Sequence, residues 1–341
     1  MKRFIIYGLS LAAAALLAVI IALWFIAFRP NVERSSEHGV IVPNGTSFND
    51  LKEILRSTNV LINKNTFVLA SKLKRFDRSI KPGYYLIRPG MNNNQIINNI
   101  RSGRQTPVNV TFNNIRTLND LAGKIGGQIE ADSAEIITFL SDEANYRSDG
   151  FNHSTVISVF IPDTYQFYWT TDAYGFYKRM LREYNAFWNE ERIAAAKNNN
   201  LTPVEVSILA SIVDDEVVKK DEKPRIAGVY LNRLRMGIPL QACPTIKFAL
   251  NDFTIRRVLY EHLSVESPYN TYKYKGLPPG PIRCPERSGI DAVLHAEKHD
   301  YLYFEAKADF SQTHHFSRTL AEHNKYANEY QRELDKRKIY D

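Results

Sequence analysis

The sequence predicts an α+β protein carried on one membrane-spanning helix. Three observations predict it. Residues 4–28 form an uncharged run of 25 residues, long enough to cross a bilayer as a tilted helix. Beyond it, short strand-like runs and amphipathic helical patterns alternate without repeat. The composition, 44% hydrophobic and 24% charged over 341 residues, is that of a folded chain long enough for two or three domains.

Lys2 and Arg3 precede the apolar run and Arg29-Pro30 follows it. The leading basic residues favour a cytoplasmic N-terminus. A cleaved signal peptide is the competing reading, but its apolar stretch is normally about 7–15 residues. Either way, residues from 31 onward face an extracytoplasmic, oxidising space. The net charge of +7 is scattered, which speaks against nucleic acid and leaves an anionic polymer or membrane surface as partner. Cys243 and Cys284 are the only cysteines, and each precedes a proline. In an oxidising compartment they can form a bridge; free thiols or a metal pair are the alternatives. His314-His315 would point to opposite faces of a strand, so no metal site is expected.

A polar linker at 31–38 precedes a small module, 38–105. Within it a strand is expected at 40–42, helices at 47–57 and 65–74, a strand at 83–87 and a helix at 94–102 ending near Gly103. The remainder, 106–341, opens with an extended stretch at 108–112, then helices at 118–129 and 133–140. The aromatic run 160–169 cannot be continuous helix around Pro162. It reads equally as core strand or as the lining of a groove in which Asp163 is the polar partner. A long amphipathic helix covers 173–198. Thr202-Pro203-Val204-Glu205 carries an N-cap, a first-position proline and a capping-box glutamate. A helix at 224–236 stops at Gly237. Loops follow at 239–245, 267–272 and 276–281; their Pro and Gly make turns, which leaves Gln241, Thr245, Asn270 and Tyr272 as candidate binding residues. A strand at 301–304 and a helix from about 320 close the chain.

The helix that opens at Thr202 holds the sharpest chemical signal. At about 100° per residue, Ile208, Leu209, Ile212 and Glu216 share one stripe, Asp214 points away from it, and Asp215 sits at its edge. A carboxyl on a buried face must be paired with a cation or kept neutral by a raised pKa. The second case suits a general acid near neutral pH; a structural Glu–Arg pair is the bland one.

Ala210-Ser211-Ile212-Val213-x-x-Glu216, Val229-Tyr230-Leu231-Asn232-Arg233-Leu234 and Leu240-Gln241-x-x-Pro244-Thr245 resemble the YceG-like, or MltG, endolytic transglycosylases of bacterial cell walls. Residues 267–272, Gly276-Leu277-Pro278-Pro279-Gly280, Pro162-Asp163-Thr164-Tyr165 and His323-Asn324 extend the match. The resemblance implies a LysM-like character for the small module and a YceG-like catalytic domain after it. It implies cleavage between N-acetylmuramic acid and N-acetylglucosamine in nascent peptidoglycan, leaving a 1,6-anhydro end and terminating strand growth beside the synthases, without a cofactor. The catalytic glutamate of the family falls on Glu216. Gln241, Thr245, Asn270, Thr271, Tyr272, Asp163 and Asn232 are the implied substrate-binding set. Two departures stand out: Asp214 and Asp215 replace residues of the family's Ile-x-Glu-Lys-Glu pattern, and Cys243 replaces the usual Asp before Pro-Thr. The second, with Cys284, favours a disulfide between neighbouring loops. The rivals are a muramidase-type hydrolase, with Asp163 or Asp215 as second carboxylate, and a non-catalytic cell-wall scaffold.

Overall fold

The computed structural model describes residues 2–34, 37–217, 219–337 and 339; Ser35 and Ser36 of the expected linker lie outside them. The architecture is α+β, with three two-stranded sheets among the described residues. The chain divides into two compact units, residues 1–110, 126–132 and 165–172, and residues 111–125, 133–164 and 173–341.

The first unit begins with α1 (Lys2–Phe28), whose apolar span Phe4–Phe28 has a mean hydropathy of 2.8 and is left unburied by the protein. Then come β1 (His38–Val42), α2 (Phe48–Ser57), α3 (Lys64–Leu73), β2 (Gly83–Ile87) and α4 (Asn93–Ser102). β1 and β2 pair antiparallel from His38↔Ile87 to Val42↔Gly83. Their inward residues Val40, Val42, Tyr85 and Ile87 meet Leu51 and Leu55 of α2, Phe67 of α3 and Ile96, Ile97 and Ile100 of α4 in one core. Capping boxes start α2 (Ser47 with Asp50) and α4 (Asn92 with Gln95), and Gly103 closes α4 at φ 71°. The end of α1 is tied to this core: Asn93 Nδ2 donates to the Ile26 carbonyl at 2.8 Å, and Asn31 Nδ2 to Asn93 Oδ1 at 2.7 Å.

β3 (Val108–Phe112), α5 (Leu118–Ile125), α6 (Ser133–Ser141) and β4 (Asp163–Phe167) follow. α5 stops four residues before the expected 129. Phe160, Ile161, Tyr165 and Phe167 are buried, so the aromatic run is mostly core; Tyr168 is the exposed exception. The single long helix expected over 173–198 is two, α7 (Ala173–Phe187) and α8 (Glu190–Asn198). Asn189 breaks it by accepting from the Arg192 N–H, a side-chain cap that competes with helix continuation.

α9 (Pro203–Glu216) is the centre of the second unit, packed against α8, α10 (Lys223–Arg235), α11 (Cys243–Leu250) and α12 (Arg287–Leu294). Its capping box forms as expected, Thr202 with Glu205, a device worth about 1 kcal/mol. α11 begins inside the stretch expected to be loop, and α12 was not anticipated; both are eight residues long, too short for periodicity to reveal. The closing strands are β5 (Tyr303–Ala306), displaced from 301–304, and β6 (His314–Ser317), paired antiparallel. α13 (Leu320–Lys336) follows.

Candidate active site

The last turn of α9 gives three adjacent carboxyls three different environments. α9 is not half-buried: every residue from Val206 to Asp214 is buried, so facing away from Glu216 does not mean facing water. Asp214 points into the packing against α12, where its carboxylate bonds Lys223 Nζ at 2.7 Å and the Glu286 N–H at 2.7 Å. Both side chains of this pair are all but sealed, with 0% and 4% exposure. Burial raises the Asp214 pKa against the opposing pull of Lys223. Asp215 is gripped by two guanidiniums, Arg116 at 2.7 and 2.9 Å and Arg283 at 3.0 Å. It is a structural anchor.

Glu216 has no such cation. Its Oε1 accepts from the Tyr230 hydroxyl of α10 at 2.7 Å. Although the residue keeps partial access to solvent, protein surrounds the carboxyl so densely that desolvation pushes its pKa up to about 7. The Tyr230 bond opposes that rise, the Asp215 charge adds to it, Lys247 opposes it and Glu305 adds to it. The phenol pays a similar desolvation: burial drives Tyr230 well above its ordinary value, with the Glu216 charge second. Tyr230 is held by its ring against Phe304, centroids 5.7 Å apart and edge-on. A carboxyl that exchanges its proton near neutrality, partly reachable and oriented by one neutral donor, can act as acid and then as base.

The loops around Glu216 arrange the expected binding residues in two classes. Gln241 is exposed and sits in the left-handed region at φ 55°, a strained conformation for a residue with a side chain. Its N–H donates to the Thr271 carbonyl at 3.0 Å and its Oε1 accepts from Arg233 Nη2. Tyr272 is half-buried, its hydroxyl 3.1 Å from Cys243 Sγ. Burial, and then the Cys243 and Glu216 charges, raise its pKa.

Thr245, Asn270 and Thr271 are buried and bonded within the protein. Thr245 Oγ1 donates to the Ala242 carbonyl and lies 2.8 Å from Thr271 Oγ1, which accepts from the Ala242 N–H. Asn270 donates to the carbonyls of Leu263 and Val265 and accepts from the Tyr272 N–H. Asn232 donates to the carbonyls of His299 and Tyr301, knitting α10 to the segment before β5. Asp163, half-exposed, pairs with Arg287 at 2.9 Å. Thr245, Asn270, Thr271 and Asn232 hold the frame; Gln241, Tyr272 and Asp163 reach the accessible surface.

The expected disulfide does not form. Both cysteines are free. Cys243 Sγ turns to Tyr272, whereas Cys284 is buried with its sulfur 3.9 Å from the Ile157 carbonyl. The Cys243 residue is exposed, yet protein atoms crowd its thiol, and that desolvation, helped by the Glu216 charge, lifts its pKa to about 11.

Glu305, on β5, escaped the sequence reading. Burial pushes its pKa up to about 7, and its charge acts on Glu216, Cys243 and Tyr272. Glu305 is therefore a second carboxyl, besides Asp215, whose charge bears on Glu216. The signal was weak because Glu305 lies in an aromatic strand that reads as core. His314 and His315 do face opposite sides of β6, His314 toward Glu222 and His315 onto the Tyr326 ring. No cluster of three or more metal-ligating side chains occurs among the described residues. A cleft of about 1170 Å³ lies elsewhere, between the end of α8, α10 and residues 296–302, and is not lined by Glu216.

A model of the YceG-like family matches residues 40–329. The chain is 30% identical over 317 residues to an endolytic murein transglycosylase of Bacillus subtilis (strain 168), covering 88% of this chain and 87% of that protein. It is 25% identical over 319 residues to an endolytic murein transglycosylase of Streptococcus pneumoniae serotype 2 (strain D39 / NCTC 7466), covering 83% of this chain and 57% of that protein. Among solved structures it is similar to a YceG-like protein of Listeria monocytogenes, with a TM-score of 0.57 and 28% identity over 85% of this chain and 98% of that one. With its family signature spread through both units and around Glu216, this chain belongs to the YceG-like family.

Proposed function

We propose that the protein is a membrane-anchored endolytic murein transglycosylase. It cleaves the N-acetylmuramic acid–N-acetylglucosamine bond of nascent glycan strands and leaves 1,6-anhydro ends. The observation that carries this reading is the Glu216 carboxyl, raised to about 7 by burial and bonded by the Tyr230 hydroxyl rather than by a cation. The names of the relatives supply the substrate class. With Oε1 accepting from Tyr230, Oε2 is the oxygen placed to carry the transferable proton. Glu216 protonates the bridging oxygen as the glycosidic C–O bond breaks and the muramyl ring gains oxocarbenium character. The resulting carboxylate then takes the proton of the C6 hydroxyl, whose oxygen closes on the anomeric carbon. No water is consumed, and because the nucleophile belongs to the substrate, orientation supplies much of the rate. Gln241 and Tyr272 contact the sugars; Thr245, Asn270, Thr271, Asn232 and Asp163 hold the loops that present them.

α1 is the single-pass anchor and sets the catalytic unit on the extracytoplasmic side, beside the peptidoglycan synthases. The β1-α2-α3-β2 arrangement of the small module is LysM-like. One observation favours a second reading. The charge of the buried Glu305 bears on Glu216, and a hydrolase needs a second carboxyl.

Purified glycan strands digested by the full-length protein separate the readings. Mass spectrometry of the products shows ends lighter by one water for the transglycosylase than for the hydrolase. Glu216→Gln loses at least about a hundredfold in turnover with its fold intact by circular dichroism. Substantial turnover by that variant sinks the assignment.

A further inference from the structure

The basic excess of the chain is not shared between its domains. Residues 38–105 hold 11 lysines and arginines against 3 carboxylates, a formal charge of +8, whereas residues 106–341 hold 29 against 32. The small module is therefore the cationic part of the protein. Among the described residues only Arg56 and Arg88 of this module lie in ion pairs, with Glu53 and Glu37. Lys64, Lys72, Arg75 and Arg78 are exposed. A field of one sign on one domain attracts an anionic partner.

The junction with α1 fixes where that charge sits. α1 packs on α3 and α4. Trp24, Phe25 and Phe28 are exposed at the end of α1 and form the aromatic belt of a spanning helix. Ile26 lies among them. Its carbonyl accepts from Asn93 Nδ2 at 2.8 Å, and the same nitrogen lies 3.2 Å from Thr66 Oγ1 of α3. Just past Phe28, Asn31 is stitched to the residues that lead into α3: the Ile62 N–H donates to its carbonyl at 2.9 Å and the Asn63 N–H to its Oδ1 at 2.7 Å. No slack separates the helix from the module. The apolar span of 25 residues is about 38 Å long, against about 30 Å of hydrocarbon and about 40–45 Å with the headgroups. The first turns of α3 and α4 therefore lie at headgroup depth.

α3 has the side chains for that depth. Phe67, Ala70 and Ser71 face the core. At about 100° per residue, Asn65, Leu69, Lys72 and Leu73 share the opposite arc, roughly 100° wide, and all four are exposed. Leu69 is 44% and Leu73 55% exposed, and Ile62, just before the helix, 62%. Thr66, at the edge of this arc, is the residue tied to α1 through Asn93. Leucines interleaved with lysine on one face let a helix lie in a membrane interface. We propose that α3 is a second membrane contact: Ile62, Leu69 and Leu73 enter the acyl boundary beside the anchor, and Lys64, Lys72 and Arg75 hold anionic phospholipid headgroups. The inference rests on α1 as a spanning anchor. With two contacts and no slack, the small module is held at one orientation on the bilayer rather than swinging from it.

The test uses the full-length protein in lipid nanodiscs. A nitroxide is attached to Leu69→Cys, Leu73→Cys or, as a control on α2, Glu53→Cys, in a Cys243→Ser background; Cys284 is buried and stays in place. Depth is read from the accessibility of the nitroxide to oxygen against a water-soluble nickel chelate. In discs with about a third phosphatidylglycerol, the oxygen-to-nickel ratio at both α3 positions rises about threefold over that in pure phosphatidylcholine, and the Glu53→Cys ratio does not change. Lys64→Gln, Lys72→Gln and Arg75→Gln together cancel the rise, because each cation near an anionic surface favours contact about fivefold. Equal ratios in the two lipids overturn the proposal. Labels on α3 that stay in water but are immobilised by poly(glycerol phosphate) overturn it too, by assigning the charge to a soluble polyanion. A label on Leu16→Cys tests the anchor separately. If it is shallow, the anchor and this proposal fall together; if it is deep while the α3 labels stay in water, this proposal alone falls.

Discussion

A single hydroxyl sets the balance at Glu216. The Tyr230 bond favours the ionised carboxylate, opposing the desolvation that favours the acid. Tyr230→Phe removes the donor while keeping the ring that packs on Phe304. The Glu216 pKa then rises, and the alkaline limb of kcat/KM moves up, by as much as about one pH unit. The pH–rate profile of the variant set against that of the wild type measures the shift. A downward shift in Tyr230→Phe would contradict the assigned role of the hydroxyl. At this scale the sequence was readable where geometry is local. Helical spacing set Glu216 one turn beyond Ile212, but α9 is buried on every side and Asp214 is the more buried of the two, so spacing alone did not separate them. Residue type misled at Thr245, Asn270 and Thr271: polar side chains on a loop suit ligand binding and loop stitching equally, and only the buried bonds to Ala242, Leu263 and Val265 separate the two.

Among the helices, α9 and α12 are locked through Asp214. Gly289 of α12 lies so close that a Cβ there would fall 2.2 Å from Asp214 Oδ1. Gly289→Ala must push the carboxylate off Lys223 and the Glu286 N–H or part the two helices. The expected loss is about 1–3 kcal/mol, seen as a drop in melting temperature by circular dichroism. An unchanged melting temperature would mean that α12 can slide without disturbing the pair. Asp214→Ala is costlier, up to about 3–5 kcal/mol, because buried Lys223 would lose its shortest and most buried partner and keep only Glu286 at 3.4 Å and the Ser288 hydroxyl. The same interface shows why some elements were illegible. α9 announced itself by Thr202, Pro203 and Glu205, all within one turn. α12 follows Cys284-Pro285-Glu286 and spans eight residues, so it offers no side-chain cap and barely two turns of periodicity. The split between α7 and α8 depends on one Asn189 bond, which a periodicity spanning both helices conceals. Glu305 was missed for a related reason: which face of β5 is covered is decided by pairing with β6, a tertiary fact.

At the scale of the whole molecule, the site costs stability, and the sign of that cost is fixed. Glu216 and Glu305 both move from the ordinary 4.5 to about 7 on folding, so the folded chain binds these protons more tightly than the unfolded chain. Their contribution is therefore fully present below about pH 4.5 and is lost as pH rises through about 7. Asp214 acts in the same direction. The carboxyls with lowered pKa, such as Asp50, Glu143 and Asp309, work the other way, but they are surface groups with solvent-screened partners. Each raised site group costs at most about 3 kcal/mol above neutrality, at 1.36 kcal/mol per pH unit, and less where solvent reaches it. Glu216→Gln abolishes one such ionisation with little change of shape. Its melting temperature should exceed that of the wild type at pH 8 and equal it at pH 4.5. The fluorescence of Trp188, buried in the second unit, contributes to the signal that follows both transitions in the full-length chain. A variant no more stable than the wild type at pH 8 would mean that Glu216 ionises without penalty, and the acid role argued from its burial would fall with it.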